Sequence, residues 1–445
     1  MKVRRLPVDP GPAAWNTILP PADRYSQQQG TLRCKVAVVG GGFAGLSAAQ
    51  RLIDLGEDSV VVLEAKEFAE GPAGRNSGFM IDLPHELNSD GYTGQAGAQQ
   101  REIELNRIGI DYAAELARRA QMPAQVFEQA GRVTGASTRA GEQHLVEYRA
   151  QLDQLDEASR WVDAAEMQAM TGTDFYHRGL YTPSAAIIQP AAYVRALTRL
   201  LATRAQLFEN SPVTEFEQRA GGWVLNTPTG QVQADRVVLA VNGHLQSFGF
   251  LPSRLLHVFT YASMTEPLSS DQLARLGGVA DWGMLPADPM GTTVRKFSDY
   301  QGAGDRIVIR NHATLNQSIE TSPADMKRAA KLQQMSFDAR FPMLQDVKFE
   351  HRWGGRLCLS LNSTHAFGEI APGLFSACCQ NGLGTAKGML AGKLIADMMK
   401  LGPEADGVSD FLALPEPSRL PPQPFLSIGA RLTMRYKEHK AGREL

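Results

Sequence analysis

The start of the chain changes from a polar arm to regular hydrophobic patterning. Residues 1–33 are rich in proline, glutamine and other polar residues, which predicts an extended arm. A continuous apolar run starts at Val36, and after a glycine cluster apolar residues recur at helical spacing up to Ile53. A second apolar run covers Val60 to Leu63. This pattern predicts a strand, a tight turn, an amphipathic helix and a second parallel strand, which together form a βαβ unit.

Beyond this unit, segments with helical periodicity alternate with segments that have strand patterns. The run Val237 to Val241 predicts another buried strand. Alternating polar and apolar residues between Leu251 and about Arg356 predict an antiparallel sheet. The chain ends in a Pro-rich segment and a basic tail, Arg435 to Arg443, which we interpret as a solvated face or a partner contact. Helices are predicted at residues 99–119, 190–201, 323–335 and 386–399.

The turn after the first strand carries a nucleotide-binding motif. Gly40-Gly41-Gly42-Phe43-Ala44-Gly45 fits G-x-G-x-x-G directly after a strand and before a helix. In this arrangement Gly40 permits the tight turn, Gly42 lets the backbone approach a pyrophosphate, and Gly45 allows close helix packing. Glu64 ends the second strand, where an acid hydrogen-bonds a ribose hydroxyl. These flanking features favour a dinucleotide site over an ordinary glycine turn.

A second glycine-rich turn favours FAD over NAD, two cofactors that share this fingerprint. Phe375 to Gly384 has the pattern of a buried strand running into a glycine turn, followed by a helix rich in small residues. Such a turn can present backbone N–H groups to the anionic edge of a flavin. A connector that serves only packing is the alternative. The sequence thus predicts an α/β protein with a Rossmann-like FAD-binding fold and an interleaved α+β substrate domain containing a mainly antiparallel sheet.

Composition and charge narrow the class of protein. The 445 residues are 43% hydrophobic and 21% charged, which is typical of a globular chain of two or three units. A formal net charge of -2 offers no basic field for nucleic acid. The four cysteines lack metal-type spacing and fit a reducing compartment, so no metal is expected. Without a signal-like segment or a long apolar run, we expect a cytoplasmic protein with no membrane partner.

These segments together resemble the D-amino-acid-oxidase-type family of FAD-dependent oxidoreductases, over almost the whole chain. The Gly-Arg-Asn-x-Gly and Trp-Gly-Gly pieces are more specific than the glycine fingerprint. The resemblance implies that FAD lies across the N-terminal fold and that the antiparallel sheet covers one face of its ring and holds the substrate. The resemblance rests on Trp15, Val38 to Gly45, Glu64, Gly74 to Gly78, Gln189-Pro190, Ala240 to Gly243, Trp353 to Gly355 and Pro424 to Arg435.

The pattern and the resemblance divide the chain into interleaved domains. An arm and a C-terminal extension flank an FAD-binding domain built from three separate segments and a substrate domain built from two. The expected boundaries are 1–33 for the arm, 34–90, 181–250 and 351–400 for the FAD-binding domain, 91–180 and 251–350 for the substrate domain, and 401–445 for the extension.

The resemblance also implies a set of flavin contacts, with one departure. Where many relatives have Gly-x-Ser-Gly-His-Gly, this chain has Cys379 to Gly384, and Leu383 replaces the histidine that would tune the flavin and its use of oxygen. Some relatives link their flavin through a cysteine near the position of Cys358, although a buried cysteine that packs as a small hydrophobe is favoured here. The expected contacts are Gly40, Gly42, Phe43, Ala44, Gly45, Glu64, Ala65, Arg75, Asn76, Ser77, Gly78, Val213, Asn242, Gly243, Cys358, Asn381, Gly382, Leu383 and Gly384.

Three residues of the predicted antiparallel sheet are candidates for substrate contact. Arg295 matches an arginine that relatives place on this sheet, where a guanidinium clamps a carboxylate; an exposed strand arginine is the alternative. His312, expected just after a strand that ends at Asn311, lies near an active-site histidine of the family. It is predicted to hold the amine deprotonated or to bind its acid group, with a surface loop histidine as the alternative. Tyr261 either lines the pocket or simply packs.

A fourth candidate lies in the segment after the Gly74 to Gly78 loop. His85 and Glu86 are within sequence reach of the flavin ring, and a glutamate there would pair with a cationic amine tail. A His-Glu pair on a surface loop is the alternative.

The resemblance implies oxidation of an amine C–N bond by FAD. The substrate would be a secondary amine, a gamma-glutamylated amine or an amino acid, and the imine product would hydrolyse to an aldehyde or a keto acid. Oxygen or another acceptor would take the electrons. Two alternatives are an FAD-dependent 2-hydroxy-acid dehydrogenase and a flavoprotein subunit that relays electrons in a larger complex.

Overall fold

The computed structural model describes residues 1–83 and 96–445. The helices are α1 Ala14–Thr17, α2 Phe43–Asp54, α3 Ala96–Arg119, α4 Arg139–Gln154, α5 Ala164–Thr171, α6 Pro190–Leu201, α7 Ser270–Leu276, α8 Pro323–Arg340, α9 Ala386–Leu401, α10 Val408–Ala413 and α11 Phe425–Ala441. Short 3-10 turns occur at Pro72–Gly74, Asn242–Gln246, Pro342–Leu344 and Gly442–Glu444.

The strands form two large sheets and a small one. They are β1 Gly30–Val39, β2 Val60–Leu63, β3 Phe79–Met80, β4 Phe127–Glu128, β5 Arg132–Ala136, β6 Arg160–Val162, β7 Arg178–Thr182, β8 Ala186–Ile188, β9 Gln206–Phe208, β10 Glu215–Arg219, β11 Gly222–Thr227, β12 Gly230–Leu239, β13 Leu256–Thr265, β14 Trp282–Pro286, β15 Thr293–Phe297, β16 Arg306–Leu315, β17 Phe349–Leu359, β18 Ala366–Ala371 and β19 Leu374–Cys378.

The first large sheet is parallel at its centre. Its parallel strands follow the order β9-β2-β1-β12-β19, and β18 pairs antiparallel with β19. The first half of β12 pairs with β11, which pairs with β10 in an antiparallel meander. The strand β1 is buried on both faces, because Val36 and Val38 pack on helices α2, α6 and α9 while Ala37 and Val39 pack on the meander side. This sheet confirms the Rossmann-like part of the predicted fold.

The second large sheet has the order β17-β13-β16-β15-β14-β5-β7-β6, and all its pairs are antiparallel except β14 with β5. Its strands have two distinct faces. Phe259 and Tyr261 of β13 pack with Ala329 of α8, whereas Thr260 and Ala262 point into a cavity. Helices α8 and α11 both contact β16. The small sheet has the order β3-β8-β4.

Both ends of the chain have more secondary structure than the sequence pattern predicts. The N-terminal arm contains α1, and Trp15 within it is completely buried. Its first residues join the meander, since Lys2 forms a β-bridge with Glu215. Most of the basic tail lies in helix α11 and is not only a solvated face, because Glu438 and Ala441 are buried against the body. Across residues 1–83 and 96–445, no helix has the length and hydropathy needed to cross a membrane.

Candidate functional site

A cavity lies between the C-terminal ends of the parallel strands and the open face of the second sheet. Its lining includes the turn after β1 with the end of β2, strands β13 to β17, the segment before α9, and the N-terminal arm from Val3 to Asp9. In open α/β sheets, ligands bind at this edge of the strands. Of the predicted flavin contacts, those that line the cavity are Gly40, Gly42, Phe43, Ala44, Glu64, Ala65, Arg75, Asn76, Ser77, Val213, Asn242, Gly243, Cys358, Gly382, Leu383 and Gly384.

The turn between β1 and α2 has the backbone that the glycine motif predicts. Gly40 has a φ of +107°, and a Cβ on Gly45 would lie 1.8 Å from the Gly40 carbonyl oxygen. A Cβ on Gly42 would point into open space, with its nearest neighbour 3.7 Å away on Ala73. Helix α2 starts here without a side-chain cap and without an acidic residue in its first turn. Its N–H groups are therefore free to bind a phosphate.

Glu64 lies at the end of β2 beside this turn. Its carboxylate accepts hydrogen bonds from the backbone N–H groups of Gly41, at 2.7 Å, and Lys66, at 3.0 Å. Burial raises the pKa of Glu64, and these two backbone bonds oppose that rise. Because the side chain also lines the cavity, it can accept hydrogen bonds from sugar hydroxyls.

The Arg75 to Gly78 loop is built around its own side chains. Arg75 is buried and donates to the carbonyls of Glu70, at 2.6 Å, and Pro10, at 3.1 Å, so its guanidinium fixes the loop to the N-terminal arm. The Asn76 carboxamide accepts from the Gly78 N–H at 2.8 Å. Gly78 itself lies beside the cavity rather than in its lining. The loop therefore offers backbone and short polar groups to a ligand.

The N-terminal end of α9 faces the cavity from the other side. Gly382, Leu383 and Gly384 line it, and the N-cap residue Thr385 makes no capping bond to the helix. Asn381 does not line the cavity, because its side chain bonds the Ser360 N–H at 2.8 Å and the Thr364 carbonyl. The positive end of the α9 dipole is thus directed at the cavity, as expected for the anionic edge of a flavin.

These groups fit FAD. Free N–H groups at the start of α2, a buried acid at the end of β2 and a second helix N-terminus suit a pyrophosphate, a ribose and a reduced flavin ring respectively.

Cys358 lines the cavity but is held as a thiol. Its side chain is hydrogen-bonded to that of Cys379, and this bond, together with burial, raises the pKa of Cys358 well above its usual value. A thiolate is the reactive form of cysteine, so the geometry disfavours spontaneous attachment to a flavin.

The three predicted substrate contacts that can be located lie outside the cavity lining. Arg295 is buried, donates to the carbonyls of Ile188 and Gly78, and lies over the Trp15 ring at 5.2 Å. The Tyr261 hydroxyl bonds Thr314 at 2.6 Å on the opposite face of the sheet. His85 and Glu86 fall outside the described residues.

His312 is on the same opposite face as Tyr261, and its ring stacks on that tyrosine at 5.5 Å. It lies inside β16 rather than after it, at a β-bulge where its φ is +58°. Its Nδ1 pairs with Glu438 of α11. The expected position after the strand and the alternative of a surface loop histidine are therefore both wrong, because the strand continues through a bulge and helix α11 covers the ring.

The cavity contains an arginine that the sequence analysis missed. Arg310 of β16 lines it beside Thr293 and Ala262, its register partners on the two adjacent strands. Burial lowers the pKa of Arg310 to about 10, and no described residue forms a hydrogen bond or an ion pair with its guanidinium. Thr260 also lines this region. The alternation of polar and apolar residues along β16 could have indicated which side chains face the cavity. The bulge at His312 interrupts that alternation, so the sequence did not indicate Arg310.

A second group of charged residues lies on the side of the cavity that the N-terminal arm lines. The Asp9 side chain is fully buried and pairs with Lys66 at 3.1 Å and with Arg356 at 3.2 Å. Arg356 also donates to Nε2 of His244. Burial and the charge of Arg356 lower the pKa of His244 to about 2, so this imidazole is neutral. None of these residues was predicted, because the arm is far from them in sequence.

Comparisons with known proteins agree with this geometry. The chain is 26% identical to the probable oxidoreductase OrdL of Haemophilus influenzae over 85% of this chain and 86% of that protein. It is also 26% identical to gamma-glutamylputrescine oxidoreductase of Escherichia coli K12 over 90% of this chain and 92% of that protein. The crystal structure of glycine oxidase from Geobacillus kaustophilus aligns with a TM-score of 0.69 at 18% identity, covering 88% of this chain and all of that one.

The strongest evidence for the family is a match to its sequence profile. Residues 35–398 match the profile described as "FAD dependent oxidoreductase", abbreviated DAO. This match includes both glycine-rich turns and the whole second sheet, and it confirms the resemblance and the cofactor predicted from the sequence. The chain therefore belongs to the DAO family of FAD-dependent oxidoreductases.

Proposed function

We propose that this protein oxidises the C–N bond of an amine that carries a carboxylate, with FAD as the electron acceptor and oxygen as the final oxidant. The imine product then hydrolyses to an aldehyde or a keto acid and a free amine. Bound FAD supplies the hydride-accepting ring, and the protein residues bind, orient and desolvate the substrate.

The unpaired Arg310 guanidinium carries this proposal. Arg310 is half-buried in the cavity wall without an anion beside it, and a substrate carboxylate in the cavity would form a bidentate ion pair with its guanidinium. The hydroxyls of Thr293 and Thr260, which line the same region, can donate to the same carboxylate. We assign to Arg310 the carboxylate-binding role that sequence analysis expected of Arg295.

The acid-base groups of the cavity favour an amine over a 2-hydroxy acid. Oxidation of an alcohol needs a base to take the O–H proton, whereas a neutral amine already has a free lone pair. Among the described lining residues, Asp9 is ion-paired, Glu64 accepts two backbone bonds, and His244 accepts from Arg356. No free base remains among them. Nearby positive charge at Arg310 also favours the neutral form of the amine.

The remaining site residues hold the cofactor in this proposal. The Gly40 to Gly45 turn and the start of α2 bind the pyrophosphate, and Glu64 binds the ribose. The N–H groups at Gly382 to Thr385 stabilise negative charge on the reduced ring. Leu383 occupies a position where it contributes only its backbone and an apolar side chain.

The names of the relatives support the same substrate class. One relative is named for a gamma-glutamylated amine, and the aligned structure is of a glycine oxidase. Gamma-glutamylputrescine and glycine both contain an amine and a carboxylate. We therefore propose amino acids, N-alkylated amino acids and gamma-glutamylated amines as the substrate candidates.

The experiment is anaerobic reduction of the FAD-loaded protein, followed by the visible flavin spectrum. The panel contains gamma-glutamylputrescine and sarcosine, the 2-hydroxy acid glycolate, and the amide of sarcosine, which lacks the carboxylate. We expect bleaching by a carboxylated amine, and weak or no bleaching by the hydroxy acid and the amide. Bleaching by glycolate alone would overturn the proposal. Readmission of air then tests oxygen, because recovery of the spectrum shows that oxygen accepts the electrons.

A further inference from the structure

Helix α11 presents a row of large apolar side chains to solvent. Phe425, Ile428, Leu432 and Tyr436 are 71%, 54%, 63% and 67% exposed. Their spacing of three and four residues puts them on one face of the helix, and we call them the apolar row. Single exposed apolar residues are common, but a continuous row of four marks a contact surface.

The opposite face of α11 attaches the helix to the body. Glu438 and Ala441 are buried. The Glu438 carboxylate binds His312 of β16 and accepts from Arg328 of α8 at 3.1 Å. Because an α-helix turns about 100° per residue, Glu438 points about 200° away from Tyr436. The attachment therefore fixes the apolar row on the outside of the molecule.

Cations flank the apolar row on both sides. Helical geometry puts Arg435 at one edge of the row, Arg431 farther round on the same side, and Lys440 at the other edge. These three side chains form no ion pair with any described residue. Glu438, the acidic residue of this helix, is on the buried face and is paired with His312 and Arg328. The exposed surface of α11 is therefore apolar at its centre and positive at its edges.

We propose that α11 docks this protein onto an anionic lipid surface, with the apolar row at the boundary between headgroups and acyl chains. A helix of 17 residues is about 25 Å long, which suits a helix lying in the plane of the interface. Long cationic side chains on both edges reach anionic headgroups while the apolar side chains are buried. This proposal replaces the expectation of no membrane partner with peripheral binding and does not depend on the amine chemistry.

Charge complementarity selects this partner over a second copy of the chain. Two α11 helices packed along their apolar rows would bring like charges together along both edges, which is unfavourable. The protein as a whole has a net charge of -2, so it has no overall positive charge that would attract an anionic surface. Attraction to such a surface therefore depends on a local positive region such as the edges of α11.

The experiment is co-sedimentation of the full-length FAD-loaded protein with phosphatidylcholine vesicles that contain or lack phosphatidylglycerol. We expect binding to the anionic vesicles, much weaker binding to the neutral ones, and loss of binding at high salt. Ile428→Gln/Leu432→Gln should weaken binding at least about ten-fold. Arg431→Gln/Arg435→Gln should weaken binding to anionic vesicles by about five-fold per cation removed.

Leu401→Gln is the matched control, because Leu401 is 58% exposed but lies at the end of α9. It should bind vesicles as the unchanged protein does. The flavin spectrum and Tm show that each variant is folded, and all substituted side chains are exposed. Equal binding by the Ile428/Leu432 variant, or no binding to anionic vesicles by the unchanged protein, would overturn the proposal. Concentration-dependent dimerisation lost in that variant, without vesicle binding, would also overturn it in favour of a second copy.

Discussion

Arg310 and Thr293 lie directly opposite each other on strands β16 and β15, and both side chains line the cavity. Since Arg310 has no anionic partner among the described residues, we propose that the pair binds the carboxylate of the substrate.

Replacing Arg310 by glutamine should therefore raise KM for carboxylated amines by about 100-fold, because a buried charge-assisted contact is lost. Arg310→Lys should have a smaller effect, since it keeps the charge but loses the bidentate geometry. Steady-state kinetics with a carboxylated amine and with its amide shows whether Arg310 acts on the carboxylate or on another part of the substrate. If Arg310→Gln raised KM equally for both substrates, Arg310 would not be the carboxylate ligand.

Two glycine substitutions in the β1–α2 turn should have different consequences. Gly42→Val puts its side chain into the cavity without a close protein contact, so the apoprotein should fold but fail to retain FAD. Gly45→Ala brings a Cβ within 1.8 Å of the Gly40 carbonyl oxygen, so it should destabilise the turn itself. Tm of the apoprotein and the flavin absorbance of the purified protein measure the two effects. A Gly42→Val protein with a full flavin spectrum would contradict our placement of the pyrophosphate.

The N-terminal arm should contribute to cofactor retention through Asp9. Asp9→Ala leaves Arg356 buried without its acidic partner, and breaking a buried ion pair of this kind costs about 3 kcal/mol. We expect a lower Tm and a higher Kd for FAD, measured by flavin fluorescence. Asp23→Ala is the control, because Asp23 is exposed and pairs with Arg199 at the surface. Equal effects of the two substitutions would show that burial of the Asp9 pair has no special role.

Acid should destabilise the protein through its buried neutral histidines. Burial, with the charges of Arg356 and Arg5, lowers the pKa of His257 from 6.5 to about 4. Between pH 6.5 and 4 the unfolded chain binds a proton at this position and the folded chain does not, so stability falls as pH falls. The loss reaches about 3 kcal/mol from this residue across that range. Urea unfolding of the unchanged protein and of His257→Asn should show a shallower pH dependence in the variant.

The flavin should be released intact when the protein unfolds. The Cys358 thiol is bonded to Cys379 and its pKa is raised, so it is not poised to form a thioether. Heat denaturation followed by filtration should put all of the yellow colour in the filtrate, and the mass of the polypeptide should equal that of the apoprotein. Flavin that stays with the polypeptide, and is lost in Cys358→Ser, would demonstrate a covalent link instead.

The local elements and the cofactor turn were predictable because they depend on nearest neighbours in sequence. Helix α6 starts at Pro190 and ends at Leu201 as predicted, and α8 starts at Pro323 as predicted but continues to Arg340. The glycine turn and Glu64 meet as expected, because a βαβ unit brings adjacent strand ends together over a short chain distance.

The substrate side was not predictable in the same way. Residues 310 and 312 would share a face of a regular strand, yet Arg310 points into the cavity and His312 points toward α11. The bulge opposite Thr260 and Tyr261 causes this, since an extra residue in one strand reverses the side on which the next side chains emerge.

By itself, the sequence determined the family, the cofactor and the phosphate-binding turn, because these follow from a contiguous motif and its flanking strands. Only the tertiary structure decided which polar side chains face the cavity and how the two ends of the chain attach. Asp9 pairs with Arg356, which is far from it in the sequence. Glu438 pairs with His312 because helix α11 packs on β16, a contact that the sequence pattern does not indicate. Such contacts depend on the packing of distant segments and the register of a bulged strand, which local patterns do not encode.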